Sequence, residues 1–109
     1  MHSEPNALIA RTSLVILTLN AQRYLPNLLA ALAHLPQPPR QVLFIDSASS
    51  DDSVALAMAA GHQVHGIQRS EFGHGKTRNL ALSLCADSEF LVYLTQDALP
   101  QGPDWLARL

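Results

Sequence analysis

Apolar residues in this chain gather into four short runs, separated by stretches in which leucine and alanine return every three or four positions. The first run, Ser13-Leu-Val-Ile-Leu-Thr-Leu19, is apolar at nearly every position rather than alternately, as expected of a parallel strand covered on both faces. Behind it, Leu25, Leu28, Leu29 and Leu32 recur at helical spacing. Pro26 is tolerated only near a first turn, so this helix should open close to Tyr24, and Pro36, Pro38 and Pro39 end it. Gln41-Val-Leu-Phe-Ile45 supplies a second strand, and Val54, Ala57 and Met58 mark one face of a short helix that stops at Gly61. Gln63-Val-His-Gly-Ile67 is a weaker third strand. Leu80, Ala81, Leu84 and Cys85 form a third helical stripe, and Phe90 to Leu94 is the fourth strand.

Strands alternating with helices at this spacing predict right-handed βαβ units and a parallel sheet, with all strand exits on one edge. That edge collects Thr18 and Asn20, Asp46 and Ser47, Gln68 and Arg69, and Thr95, Gln96 and Asp97. Ligands of such sheets bind beyond the carboxyl ends of the strands, so convergence of these polar groups predicts a ligand site. Each has a plainer reading. Asp97 caps a turn, and the cluster Asp46-Ser-Ala-Ser-Ser-Asp-Asp52 suits an Asx-turn and a helix N-cap.

At 109 residues and 48% hydrophobic, the chain has the size and apolar content of one domain, divided here into a tail over 1–12 and a domain over 13–109. A net charge of −2 without a Lys/Arg cluster argues against a nucleic-acid partner. No apolar run reaches the roughly 18–20 residues that span a bilayer, and MHSEPNALIART lacks the order of a signal peptide, so a cytoplasmic location is expected. The single cysteine, Cys85, excludes an internal disulfide and reads as a buried, inert thiol. His62 and His65, three apart in a strand-like segment, project to opposite faces and read as structural. Asp104-Trp105-Leu106 reads as the start of a further helix, with Trp105 as its packing anchor, so the sequence looks cut before its fold is finished.

Gly75-Lys76-Thr77 matches the tail of the phosphate-cradling GxxxxGK[ST] signature, and Asp97 could then imitate a metal-holding acid. The first glycine of that signature would fall on Ser70, and the loop follows the third strand instead of the first. A P-loop nucleoside triphosphatase is therefore the weaker of the enzyme readings.

Four segments in order carry a more specific likeness: Leu14-Val-Ile-Leu-Thr-Leu-Asn20, Ile45-Asp-Ser-Ala-Ser-Ser-Asp-Asp-Ser53, Phe72-Gly-His-Gly-Lys-Thr-Arg-Asn79 and Phe90-Leu-Val-Tyr-Leu-Thr-Gln-Asp-Ala98. The sequence resembles the nucleotide-binding half of family 2 glycosyltransferases, especially their rhamnosyltransferase-like branch. The resemblance implies an α/β, Rossmann-like GT-A domain, a parallel sheet with flanking helices, truncated before the acceptor half. It implies an inverting transferase that uses dTDP-L-rhamnose or a related dTDP or UDP sugar and a glycan or lipid-linked acceptor, with peripheral membrane association of the full-length enzyme. Asp46 would accept the imide N–H of the pyrimidine and Arg78 would donate to its ring carbonyl. Thr18, Asn20, Ser47, Asn79 and Gln96 complete the nucleotide set, while His74 and Lys76 are candidates for phosphate or sugar contact. Asp97 matches the last acid of a DxD-type motif and would hold Mg²⁺ or Mn²⁺, although Thr95 and Gln96 stand where many relatives carry further acids. No catalytic base is visible; the resemblance places it downstream, so this stretch alone should bind donor without efficient turnover. A non-catalytic nucleotide-sugar-binding module is the reading from a different class.

Overall fold

The computed structural model describes residues 9, 11–35, 37–68, 70, 74–86 and 89–96, with the side chains at 74, 78 and 95 outside that description. Four parallel strands, β1 (Thr12–Thr18), β2 (Gln41–Ser47), β3 (Gln63–Ile67) and β4 (Phe90–Thr95), form one sheet in the order β3-β2-β1-β4. Three helices connect them: α1 (Leu25–Ala33), α2 (Ser53–Ala59) and α3 (His74–Leu84). The chain steps outward from β1 to β2 to β3 and then returns past both to pair β4 with β1. With right-handed crossovers that reversal places α3 on the opposite face from α1 and α2.

The packing follows this topology. Leu14, Ile16 and Phe44 meet Leu25, Leu28 and Leu32 of α1 and Ala57 of α2, while Val15, Leu43, Ile45 and Ile67 meet Ala81 and Cys85 on the α3 side. β1 is apolar at adjacent positions because each of its faces has its own helical layer. The strand opens at Thr12, one residue ahead of the expected start, and Ile9 from the preceding segment joins the first core.

Tyr24 occupies the N-cap of α1 and Pro26 lies in the first turn, where a missing N–H costs nothing. Leu25, Leu28 and Leu32 form its buried stripe, each contributing about 1.5–3 kcal/mol of transfer free energy. In α2 the expected face is corrected. Ser53 and Ala57 are buried and Leu56 packs against the core, whereas Met58 is 61% exposed, because a seven-residue helix offers little more than one inward position per turn. Gly61 ends α2 as expected. At φ +88° it occupies the left-handed region, its N–H donates to the Met58 carbonyl at 2.9 Å, and the next N–H, of His62, donates to the Ala57 carbonyl at 3.2 Å. These two bonds make a Schellman closure. In α3 the stripe is narrower than expected: Ala81 and Cys85 are buried and Leu80 packs beside them, but Leu84 is exposed at the helix end. Among the described residues no helix is long and apolar enough to cross a membrane.

Candidate functional site

The sheet changes winding direction between β1 and β4, and the crevice beyond that point is where doubly wound sheets place their ligands. Residues 18–22 at the exit of β1 and 46–53 at the exit of β2 lie side by side there. Thr18 and Asp46 are partners in the β1–β2 register, so both point to the α1 and α2 face. The Thr18 hydroxyl donates to Asp46 Oδ1 at 2.6 Å. Ser49 adds its hydroxyl to the same oxygen at 2.6 Å and its backbone N–H to Oδ2 at 2.9 Å. Asp46 is thus 3% exposed, held by two hydroxyls and one amide. This is the Asx-type turn its plainer reading foresaw, and it coexists with any binding role because a carboxylate offers about four acceptor positions.

The turn from β1 into α1 is built in an unusual way. Four successive backbone N–H groups each donate to a side-chain oxygen from another segment: Leu19 to Gln96 Oε1 (2.7 Å), Asn20 to Ser49 Oγ (2.9 Å), Ala21 to Ser53 Oγ (2.7 Å) and Gln22 to Asp51 Oδ2 (3.1 Å). Two side chains reply in the reverse direction. Asn20 Oδ1 accepts the Ser50 N–H at 2.8 Å and Gln22 Oε1 accepts the Asp52 N–H at 3.1 Å. The two loops are therefore clipped together before any ligand arrives.

Asp51 and Ser53 form the tightest part of the clip. Asp51 Oδ1 accepts both the N–H and the hydroxyl of Ser53, and Ser53 is 1% exposed. The donated Ser53 hydroxyl holds the Asp51 carboxyl below its ordinary value of 3.8, against a smaller opposing effect of burial. Asp52, which stands at the N-cap of α2, makes no side-chain cap. Asp51 takes over that work, and its negative charge also suits the adjacent start of α1. Neither Ser49, Asp51 nor Ser53 was singled out from sequence, where the acidic and serine-rich run signals a turn without saying which member reaches across.

Backbone conformation marks the same rim. Asn20 (φ 50°) and Ala48 (φ 52°) are the non-glycine residues with positive φ among those described. Asparagine tolerates this region, but alanine does so at a cost of about 1–2 kcal/mol.

The expected site residues fall into four groups. Thr18, Asn20, Asp46 and Gln96 are brought together at the switch point, with Gln96 tying the exit of β4 to that of β1. Ser47 is buried on the other face, paired in register with Ile67, because consecutive strand residues project oppositely. Lys76, Arg78 and Asn79 lie in the first turns of α3, with Lys76 and Asn79 exposed and a small cleft lined by Ile67, Ser70, Lys76, Thr77 and Leu80 beside them. The side chains of His74 and Arg78, all of Asp97, and Arg69 lie outside the described residues. Gly75-Lys76-Thr77 follows the edge strand β3 instead of opening the switch-point crevice, which weighs against a P-loop. Among the described residues no group of three His, Cys, Asp or Glu side chains could hold a metal.

Fold and rim together define a doubly wound α/β domain with a polar rim at its switch point. The sequence profile of Glycosyl transferase family 2 matches residues 13–109, and the chain belongs to that family. It is 35% identical over 100 residues to the O-antigen chain rhamnosyltransferase RfbN of Salmonella typhimurium (strain LT2), a match covering 91% of this chain and 32% of RfbN. The structure of S. aureus TarS 1-349 in complex with UDP-GlcNAc matches with a TM-score of 0.75 at 25% identity, covering 90% of this chain and 29% of that one. The mannosyltransferase PcManGT from Pyrobaculum calidifontis, in complex with GDP-Man and Mn²⁺, matches with a TM-score of 0.72 at 24% identity, covering 89% and 30%. The fold is that of GT-A glycosyltransferases. The chain spans about a third of the length of the curated relative.

Proposed function

We propose that this chain is the donor-binding part of an inverting glycosyltransferase that takes dTDP-L-rhamnose, or a related dTDP or UDP sugar, for transfer to a hydroxyl of a polysaccharide or lipid-linked glycan. The observation that carries this reading is the buried Asp46 carboxylate at the switch-point rim, aimed by Thr18 and Ser49. The likeness to an O-antigen rhamnosyltransferase supports the choice of sugar, and TarS supplies the precedent of a uridine diphosphate sugar on this fold.

In this reading Asp46 accepts the imide N–H of the base, while Arg78 and Asn79, from the start of α3, reach the base and ribose. Thr18 acts through Asp46. Asn20 and Gln96 shape the rim between the β1 and β4 exits, and Ser47 supports it from the buried face. Lys76, and His74 beside it, are placed near the start of α3, where a phosphate would also meet the positive end of the helix. The donor set fits a cation that arrives with its diphosphate: a single acid, Asp97, directly follows Gln96, and Mg²⁺ or Mn²⁺ commonly uses one or two carboxylates plus substrate phosphates. Bound there, the cation would stabilise the charge of the departing diphosphate. PcManGT provides the Mn²⁺ precedent. The base that deprotonates the acceptor lies elsewhere in the full-length enzyme, so this chain holds donor without efficient turnover. The whole enzyme works in the cytoplasm and meets its lipid-linked acceptor by peripheral association with the membrane.

Titration calorimetry with dTDP, UDP, GDP and ATP, with and without Mn²⁺ or Mg²⁺, tests the proposal. Pyrimidine diphosphates should bind best and gain affinity from the cation, and Asp97→Ala should abolish that gain. Equal binding of all four nucleotides removes the donor assignment, and undiminished metal dependence in Asp97→Ala moves the ligand role to another residue.

A further inference from the structure

We propose that the hydroxyls of Thr18 and Ser49 set the base specificity of the site by filling one oxygen of the Asp46 carboxylate. The inference rests on the reading that Asp46 receives the donor's base. Oδ1 accepts both hydroxyls, each at 2.6 Å, and Oδ2 accepts the Ser49 N–H at 2.9 Å. Among the described residues, three of about four acceptor positions are therefore taken, and the one left belongs to Oδ2. The 3% exposure of Asp46 agrees with approach by one ligand atom, end-on.

Bases differ in what they present to such a group. Uracil and thymine offer one N–H between two carbonyls, which a single free lone pair satisfies. Guanine offers a ring N–H beside an exocyclic amino group, two adjacent donors that a carboxylate meets only with both oxygens. Guanine would leave one donor facing an oxygen already saturated by hydroxyls, and a desolvated unpaired donor is costly. Thr18 and Ser49 thus turn a bidentate acceptor into a monodentate one. They are positioning residues: neither needs to touch the nucleotide. Their geometry is fixed independently of ligand, Thr18 by its place in the β1–β2 register opposite Asp46, and Ser49 by the Asn20 N–H that donates to its oxygen at 2.9 Å.

The test compares UDP and GDP affinities, with Mn²⁺ present, for the chain and for Thr18→Val, Thr18→Ser, Ser49→Ala and the Thr18→Val/Ser49→Ala double variant, with circular dichroism confirming the fold of each. The unaltered chain should prefer UDP at least tenfold. The double variant should lose at least fivefold of that ratio as Oδ1 becomes free, each single removal should lose part of it, and Thr18→Ser should keep it. A purely structural role would weaken both nucleotides alike and leave the ratio unmoved. An unchanged ratio in folded variants of a UDP-preferring chain overturns this proposal while leaving the pyrimidine reading intact. A chain with no UDP preference, or no binding of either nucleotide, overturns both. Ser49 lies on a partly exposed loop, so its variant decides the matter should Thr18→Val fail to fold.

Discussion

The two rims of the sheet are built from similar polar residues to opposite ends. At the entry rim, where the strands begin, the Ser13 hydroxyl donates to Gln41 Oε1 at 3.2 Å and Gln41 Nε2 donates to Gln63 Oε1 at 2.8 Å. This is a side-chain ladder that crosses three strands. An open cleft of about 900 Å³ lies beside it, lined by residues such as Leu32, Pro39, Val42 and His62. At the exit rim the polar side chains bond to backbone N–H groups of the neighbouring loop, and carboxylates join amides and hydroxyls as acceptors. Among the described residues, the larger hollow therefore lies at the rim away from the buried Asp46 carboxylate. Size alone would favour the entry rim; preorganised acceptors and non-glycine residues in the left-handed region set apart the exit rim, where we propose the donor binds.

The most disruptive way to test this contrast is to remove its central acceptor. Asp46→Ala strands the Thr18 and Ser49 hydroxyls and should lower stability by about 1–3 kcal/mol, read as a fall in Tm. Pyrimidine nucleotide affinity should fall by roughly one to two orders of magnitude, the worth of a hydrogen bond to a charged group. The matched change at the entry rim, Gln63→Ala, breaks an exposed amide pair and should stay within about 0.5 kcal/mol with binding unaltered. Similar effects of the two substitutions would erase the distinction between the rims.

Ser53→Ala asks whether the loop clip is structural independently of Asp46. Ser53 Oγ is the acceptor for the Ala21 N–H, and Ala21 is fully buried. An orphaned buried N–H costs about 1–3 kcal/mol, so thermal unfolding should shift downward, and Ser53→Thr, which keeps the hydroxyl, should restore much of the loss. A thermal transition unchanged in Ser53→Ala would show that water or another acceptor replaces the serine.

These interactions also show where sequence reasoning reaches its limit. Element types were legible because both periodicities were clean: consecutive apolar residues in β1 signal cover on both faces, and Leu25, Leu28 and Leu32 return once per turn. The parallel direction of the strands followed from the alternation of strands and helices; the order β3-β2-β1-β4, and with it the switch point, comes from the structure. The gathering of Thr18, Asn20, Asp46 and Gln96 on one rim was legible from that parallel direction. Strand parity separates Ser47 from Asp46, a difference that their adjacency in the sequence hides. Met58 shows the converse problem, since in a helix of seven residues a spacing of four does not define a face. The roles of Ser49, Asp51 and Ser53 could not be read at all. Which serine in a run of acids and serines meets which N–H depends on how two loops sit side by side, and that is set by register between strands 28 residues apart in sequence.

Ala48→Gly sharpens the contrast in the opposite direction, by stabilising. A glycine at φ 52° carries no Cβ penalty, and the gain should be about 1 kcal/mol after its greater unfolded-state entropy is deducted. Gly61→Ala at the other rim should lose about as much, although no atom lies within 4 Å of an added Cβ, because the penalty there is conformational rather than steric crowding by neighbours. The pair of Tm shifts should carry opposite signs.

The smallest effects are those of pH, and they separate the rims by where they fall. Asp51 at the exit rim has a folded carboxyl below 3.8, so the unfolded chain binds the extra proton in that interval. Its stabilising contribution is complete above pH 3.8 and is lost as pH falls through the lower folded value, with Asp51→Asn removing this acid limb. His62 at the entry rim is partly buried, with its ring 5.5 Å from that of Phe44, and burial holds its imidazole below the ordinary 6.5. Here too the unfolded state takes up the proton first, so the contribution is complete above pH 6.5 and declines as pH falls through the folded value, and His62→Gln should flatten the slope between them. Both groups keep solvent contact, which limits the size of each slope. Acidification from pH 7 should therefore loosen the entry rim first, with the loop clip opening only as pH falls below 3.8. Amide exchange resolved along the chain reads this order directly: protection at Gln63–Ile67 should fall before protection at Ala21 and Gln22, and the reverse order would mean that Asp51 does not hold the exit rim.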